Sequence, residues 1–103
     1  MIVYEVNLVI DMAIAAEYRA WLGAHVDELL TLPGFLDARI LDVLEPAPTV
    51  GQVALCVQYT LRDQAALGAY LRGHAPRMRA AGITRFGERF QAARRVLREA
   101  ALR

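Results

Sequence analysis

Two histidines and one cysteine are the side chains best suited to proton or nucleophile chemistry in this sequence, because its 103 residues include no serine and no lysine. Those absences exclude serine hydrolases, Schiff-base enzymes and phosphate-binding P-loops, and a lone Cys56 excludes internal disulfides and paired-cysteine zinc sites. His25 falls on an apolar stripe with Ile14, Tyr18, Trp21, Leu22 and Leu29, recurring at intervals of three and four. An imidazole buried there must stay neutral or find partners for both ring nitrogens. One reading makes His25 a general base in a pocket lined by Tyr4, Trp21, Tyr59 and Tyr70, where it moves a proton of a bound apolar or aromatic molecule. The other makes it a structural histidine bonded to a backbone carbonyl or to Tyr59. In both, desolvation should hold its pKa below the unperturbed value of about 6.5.

His74 occupies the matching place on a second stripe, formed by Leu67, Tyr70, Leu71 and Met78. It reads either as a further ligand contact or as an end-of-helix histidine, where the helix dipole favours a cation. The two helices should run antiparallel, with each histidine toward its own C-terminal end, so the two are expected at opposite ends of the helical layer. No joint metal site follows, and nowhere do His, Cys and Asp fall at ligand spacing. Asp11, Asp37, Asp42 and Asp63 read as caps and turn residues, and neither a metal nor a cofactor is expected. Cys56 has no charged neighbour in sequence to lower its pKa, and reads as a small buried hydrophobe.

Charge is spread unevenly. Residues 1–71 hold 3 Arg against 9 acids, a net of −6, and residues 72–103 hold 9 Arg against 2 acids, a net of +7. Arg77, Arg79, Arg94 and Arg95, with Arg72, Arg85 and Arg89, are candidates for an anion-binding patch. The competing arrangement sets the basic last strand beside the first strand and its Glu5, so that acidic and basic faces pair, which fits a total of only +1.

The elements that must hold these side chains are legible in the periodicities. Ile2 to Ile10 alternates, with Ile2, Tyr4, Val6, Leu8 and Ile10 on one face. Asp11 reads as the N-cap of a first helix ending before Pro33-Gly34, and Phe35 to Leu44 is again extended. Two prolines and a glycine in Glu45 to Gly51 make a hairpin loop into Val53 to Thr60, and Asp63 caps a second helix interrupted near Pro76. Arg89 to Arg103 has helix-forming composition, yet Phe90, Ala92, Arg94 and Val96 alternate with Gln91, Ala93, Arg95 and Leu97. Three strands would leave the first strand unpaired on one side, so a strand is expected at about 89–97. The order is β-α-β-β-α-β, an α+β ferredoxin-like sandwich with a four-stranded antiparallel sheet and two helices on one face.

Residues 1–103 amount to one domain, with Trp21 and Tyr70 largely buried. No apolar run approaches the roughly 20 residues of a membrane span, and no leader pattern opens the chain, so a cytoplasmic protein is expected. The sheet face away from the helices carries Val3, Glu5, Asn7, Val9, Cys56, Gln58 and Thr60, too mixed for a dry core and too apolar for a solvated surface. A second copy covering it would give a homodimer of the dimeric α+β barrel type.

Several segments together carry a resemblance: Ile2-Val3-Tyr4-Glu5-Val6, Trp21-Leu22 with His25, Pro33-Gly34-Phe35, Gln58-Tyr59, Tyr70, His74-Ala75-Pro76-Arg77, Arg85-Phe86-Gly87, and Phe90 with Arg94 to Leu97. Nearly the whole chain is similar to a family of short bacterial proteins described only as a domain of unknown function. The resemblance implies a ferredoxin-like fold of the dimeric α+β barrel type, distantly related to antibiotic-biosynthesis monooxygenases, and it implies no established activity. The haem-degrading branch of that superfamily resembles the chain in an Asn on the first strand and a His on the second helix, matched by Asn7 and His74. That branch also carries a Trp about three turns before the His to ruffle the haem, where this chain has Gln64, so haem is not expected. Val3 to Leu8 also resembles the first-strand hexamer of an RNA-recognition motif. Ala54, Cys56, Gln58 and Thr60, however, offer no aromatic ring for base stacking, and Glu5 would repel phosphates, so nucleic acid is not expected either.

Two function classes survive. One is a small-molecule site, with cofactor-free oxygenase or isomerase chemistry at His25. The other is a non-catalytic dimeric interaction module whose Arg-rich C-terminal region docks an acidic partner. A cavity holding His25 would favour the first, and solid packing there the second.

Overall fold

Alternation of apolar and polar residues over Ile2–Asp11 gives β1, the strand at the centre of the computed structural model, which describes residues 1–102. A 3₁₀ turn, Met12–Ile14, leads into α1 (Ala15–Leu29), and β2 (Phe35–Asp42) and β3 (Gln52–Leu61) form a hairpin. Then come α2 (Gln64–Gly73), α3 (Ala75–Phe86) and β4 (Phe90–Arg98). The sheet order is β2-β3-β1-β4 with every neighbouring pair antiparallel, the ferredoxin-like α+β arrangement. In the last quarter alternation overrides helix-forming composition, because β1 offers a free edge and β4 fills it from Ile2 opposite Arg98 to Ile10 opposite Phe90.

Two local expectations need correction. Asp11 makes no capping bond and instead ends β1, with its carboxylate 3.6 Å from Arg89; Asp37 and Asp42 likewise fall within β2 rather than in turns. The second helical stretch is interrupted near Pro76 as expected, but it restarts there as a separate helix instead of continuing as one. Pro76 lies in the first turn of α3, where a missing N–H breaks no helical bond, so the layer has three helices and His74 sits at the junction of α2 and α3. Asp63 does cap α2, its Oδ1 accepting from the Ala66 N–H at 2.8 Å.

The core forms where Tyr4, Leu8, Leu55, Val57 and Tyr59 of the sheet meet Tyr18, Leu22 and Leu29 of α1, Tyr70 of α2 and Met78 of α3. Gly34 turns the chain from α1 into β2 at φ +86°, and a side chain there would collide with the Cβ of Ala66. On the face turned away from the helices, Arg39, Gln58, Glu5 and Arg95 are successive cross-strand neighbours, one row spanning all four strands. Among the described residues no helix is long and apolar enough to cross a membrane.

Candidate functional site

Between the sheet and the helical layer lies a cavity of about 690 Å³, within the size range of small-molecule sites. Tyr4, Trp21, His25, Tyr59 and Tyr70 all line it. α1 supplies Trp21 and His25 one turn apart, and their rings stack with centroids 4.5 Å apart and planes 21° apart. Trp21 also meets Tyr18 at 5.5 Å and the Phe86 ring edge-on at 5.5 Å. Its indole is only partly buried, not the core residue its stripe suggests, because it faces the cavity. Gly82 of α3 makes this possible: a Cβ there would come 3.1 Å from Trp21 Cη2 and 3.3 Å from Phe90 Cζ.

His25 makes no hydrogen bond to a carbonyl or to Tyr59 among the described residues. Every fully buried side-chain nitrogen and oxygen among them is satisfied, so its ring nitrogens are not sealed off. Burial lowers its pKa, with the Glu28 carboxylate opposing. Burial thus favours the neutral form of an imidazole that lines the cavity.

The tyrosines form a second wall. Tyr4 packs on Tyr59 at 6.1 Å and on Tyr70 at 5.9 Å, and its hydroxyl accepts a hydrogen bond from Arg79 at 2.9 Å. Burial pushes the Tyr18 and Tyr70 hydroxyls up to about 12 and raises that of Tyr59 as well, so these groups stay protonated and able to donate.

Two groupings made from the sequence come apart. His74 does not line the cavity. Its Nδ1 lies 3.3 Å from Arg77, which also donates to Glu28 of α1 at 3.2 Å, and Glu28 is one turn beyond His25. The histidines are therefore not at opposite ends of the layer: α3 continues the helical stretch past His74, so His74 sits beside the C-terminal part of α1. Nor do the four arginines make one patch. Arg79 and Arg94 line the cavity, whereas Arg77 is held by Glu28 and Arg95 binds Glu5 at 2.6 Å on the other sheet face. Adjacent strand positions point to opposite faces, which separates Arg94 from Arg95.

Glu5 is the one buried charge among the described residues, 3% exposed on the face away from the helices. Asn7 and Gln58 each donate to it at 3.0 Å, and with Arg95 they hold its pKa down to about 2 against the cost of burial. Asn7 is thus committed to Glu5, across the sheet from His74, and the two do not form a shared site. Cys56 is buried nearby, and burial and the Glu5 charge raise its pKa, opposite to what a nucleophilic thiol needs. Tyr18, Met78, Gly82 and Phe90 also line the cavity. The periodicities put Tyr18 and Met78 on the helix stripes and Phe90 on one face of the last strand without saying which face is inward, and nothing in the sequence marks Gly82, whose role arises where two distant rings meet.

Solved structures share the fold at low identity. SnoaB, a cofactor-independent oxygenase from Streptomyces nogalater, superposes with a TM-score of 0.66 at 13% identity, over 99% of this chain and 98% of its own. A Deinococcus radiodurans protein named for the antibiotic-biosynthesis monooxygenases gives 0.73 at 12%, over 97% and 93%. A dimeric ferredoxin-like protein of unknown function from Jannaschia sp. CCS1 gives 0.58 at 18%, over 92% and 98%. No curated protein matches the sequence. The profile of the domain of unknown function DUF4286 matches residues 1–100, and the chain belongs to that family.

Proposed function

We propose that this protein binds a small apolar or aromatic molecule in the cavity between helices and sheet, and that His25 moves a proton of that molecule without a cofactor. The observation that carries the reading is His25 itself: stacked on Trp21, without a hydrogen bond among the described residues, and set in the wall of a cavity of about 690 Å³, where burial lowers its pKa. A neutral imidazole can take a proton from an acidic C–H or phenolic O–H, leaving an anion that the protonated tyrosines can stabilise by donation. Returning the proton to a different carbon completes an isomerisation. Attack of the anion on dioxygen instead forms a C–O bond and reduces the oxygen to a peroxide, which takes the proton back from His25 and loses water to leave a carbonyl; this is oxygenase chemistry, the activity for which the similarly folded SnoaB is named. Quenching of Trp21 fluorescence by fused-ring phenols tests the site, since this is the one tryptophan in the chain. Quenching in the wild type, with phenol proton exchange slowed in His25→Gln, is the expected result. No quenching at saturating phenol would overturn the reading.

We also infer that two copies associate through the uncovered sheet face, where Val3 and Val9 flank the Glu5 row; the Jannaschia neighbour is a dimer by name. The acidic-partner reading loses support from the arginines themselves. Arg77, Arg85, Arg89 and Arg95 pair with Glu28, Glu17, Asp11 and Glu5 of the same chain.

A further inference from the structure

Several arginines outside the cavity pair with acids, while Arg39, Arg72 and Arg98 have no carboxylate partner among the described residues. Arg77, Arg85, Arg89 and Arg95 lie outside its lining and each meets a carboxylate. Arg79 and Arg94 line it, and neither has a carboxylate partner among the described residues; Arg79 bonds only the neutral Tyr4 hydroxyl. The two belong to one end of the cavity. Arg94 stands opposite Val6 on the helix-facing side of β4, diagonal to Tyr4, and Arg79 reaches Tyr4 from α3. The charges of Arg79 and Arg94, and after them that of Arg77, act on the Tyr70 hydroxyl. Glu88, the one acid in the lining, lies in the α3–β4 connection beyond Phe90, and Phe90 alone is about 13 Å from Arg94 along the strand.

We propose that the cavity's ligand is an organic acid: its carboxylate sits between Arg79, Arg94 and the Tyr4 hydroxyl, and its flat apolar body runs toward Trp21, His25 and Phe90. This rests on the cavity being a binding site and adds the charge of what enters it. Two guanidinium groups left unpaired beside aromatic walls form a pre-set anion site, because a carboxylate can accept charge-assisted bonds from both while its rings take the aromatic surface. The body then passes His25, and the acid group fixes which of its atoms the imidazole meets.

Calorimetric titration with an anthracene carboxylate and the matching uncharged anthracene carboxamide tests this in the wild type, Arg94→Gln, Arg79→Gln and Arg77→Gln. The wild type should bind the carboxylate about tenfold or more tighter than the amide, in keeping with charge-assisted pairing. Arg94→Gln and Arg79→Gln should each weaken carboxylate binding more than amide binding and so reduce that preference, and Arg77→Gln, off the cavity, should preserve it. Equal binding of both probes by the wild type overturns the acid assignment and leaves the cavity as a site for neutral ligands. Loss of preference in Arg77→Gln to the same degree also overturns it, since the effect would then come from overall charge. Failure of both probes to bind overturns the binding-site reading and the acid assignment together. Melting curves of the three variants, each altering a largely exposed side chain, separate a binding effect from a folding one.

Discussion

An imidazole can act as a base near neutral pH only if it stays unprotonated and keeps a lone pair free, and at His25 both conditions come from its surroundings. Burial disfavours the cation, and the Glu28 carboxylate only partly offsets this. An NMR titration should therefore show His25 charging at lower pH than a free histidine; a normal or raised midpoint would remove the neutral-base mechanism. Glu5 gives the second residue-scale prediction. Its folded pKa of about 2 lies below the ordinary carboxylate range, so it contributes stability that is fully present above that range. That stability is lost as pH falls toward 2. Water screens Arg95, which is 65% exposed, so the contribution is of order 1–3 kcal/mol. Glu5→Gln should lower stability by about that amount at neutral pH, and its urea midpoint should depend less on pH between about 5 and 2 than that of the wild type.

At the scale of elements, the position of the cavity follows from how α2 gives way to α3. The break at His74 lets Pro76 begin a new helix, and α3 then brings Arg79 and Gly82 over the sheet. The start of α2 is fixed by one side chain, so Asp63→Ala should cost about 1 kcal/mol in the melting equilibrium, the usual penalty for a lost N-cap. Loss of a few tenths or less would mean the helix is held by packing alone. The turn from α1 into β2 is tighter. Gly34→Ala imposes a strained backbone and a collision with Ala66 at once, and should destabilise by more than the approximately 1 kcal/mol typical of a point substitution.

For the whole molecule, the uneven charge resolves into an internal order. Glu5 meets Arg95, Asp11 meets Arg89, Glu17 meets Arg85 and Glu28 meets Arg77, so acids rising along the chain meet arginines falling along it. This is the signature of a β1–α1 unit packed antiparallel against α3–β4. Most of these pairs are exposed and each adds little stability, but together they disfavour a shifted register. The open sheet face carries the remaining prediction. Light scattering should give a dimer at micromolar concentration, and Val9→Arg, next to the Glu5 and Asn7 rows, should shift it to monomer with little change in the monomer's fold. A wild-type monomer would rule out the sheet-face association.

The sequence by itself determined the strands, the helix stripes and the inward set of Tyr4, Trp21, His25, Tyr59 and Tyr70, because burial imposes a period of 2 or 3.6 that can be read off a string. It also held the answer to Arg94 and Arg95, since alternation alone puts them on opposite faces. Tertiary structure decided the rest. That Pro76 starts a helix, that Asp11 ends a strand, that Asn7 and Gln58 close around Glu5, and that Gly82 leaves room between Trp21 and Phe90 all depend on which distant segments meet. A carboxylate is a cap, a buried anion or one half of a surface pair according to its neighbours in space, and local periodicity carries no record of those neighbours.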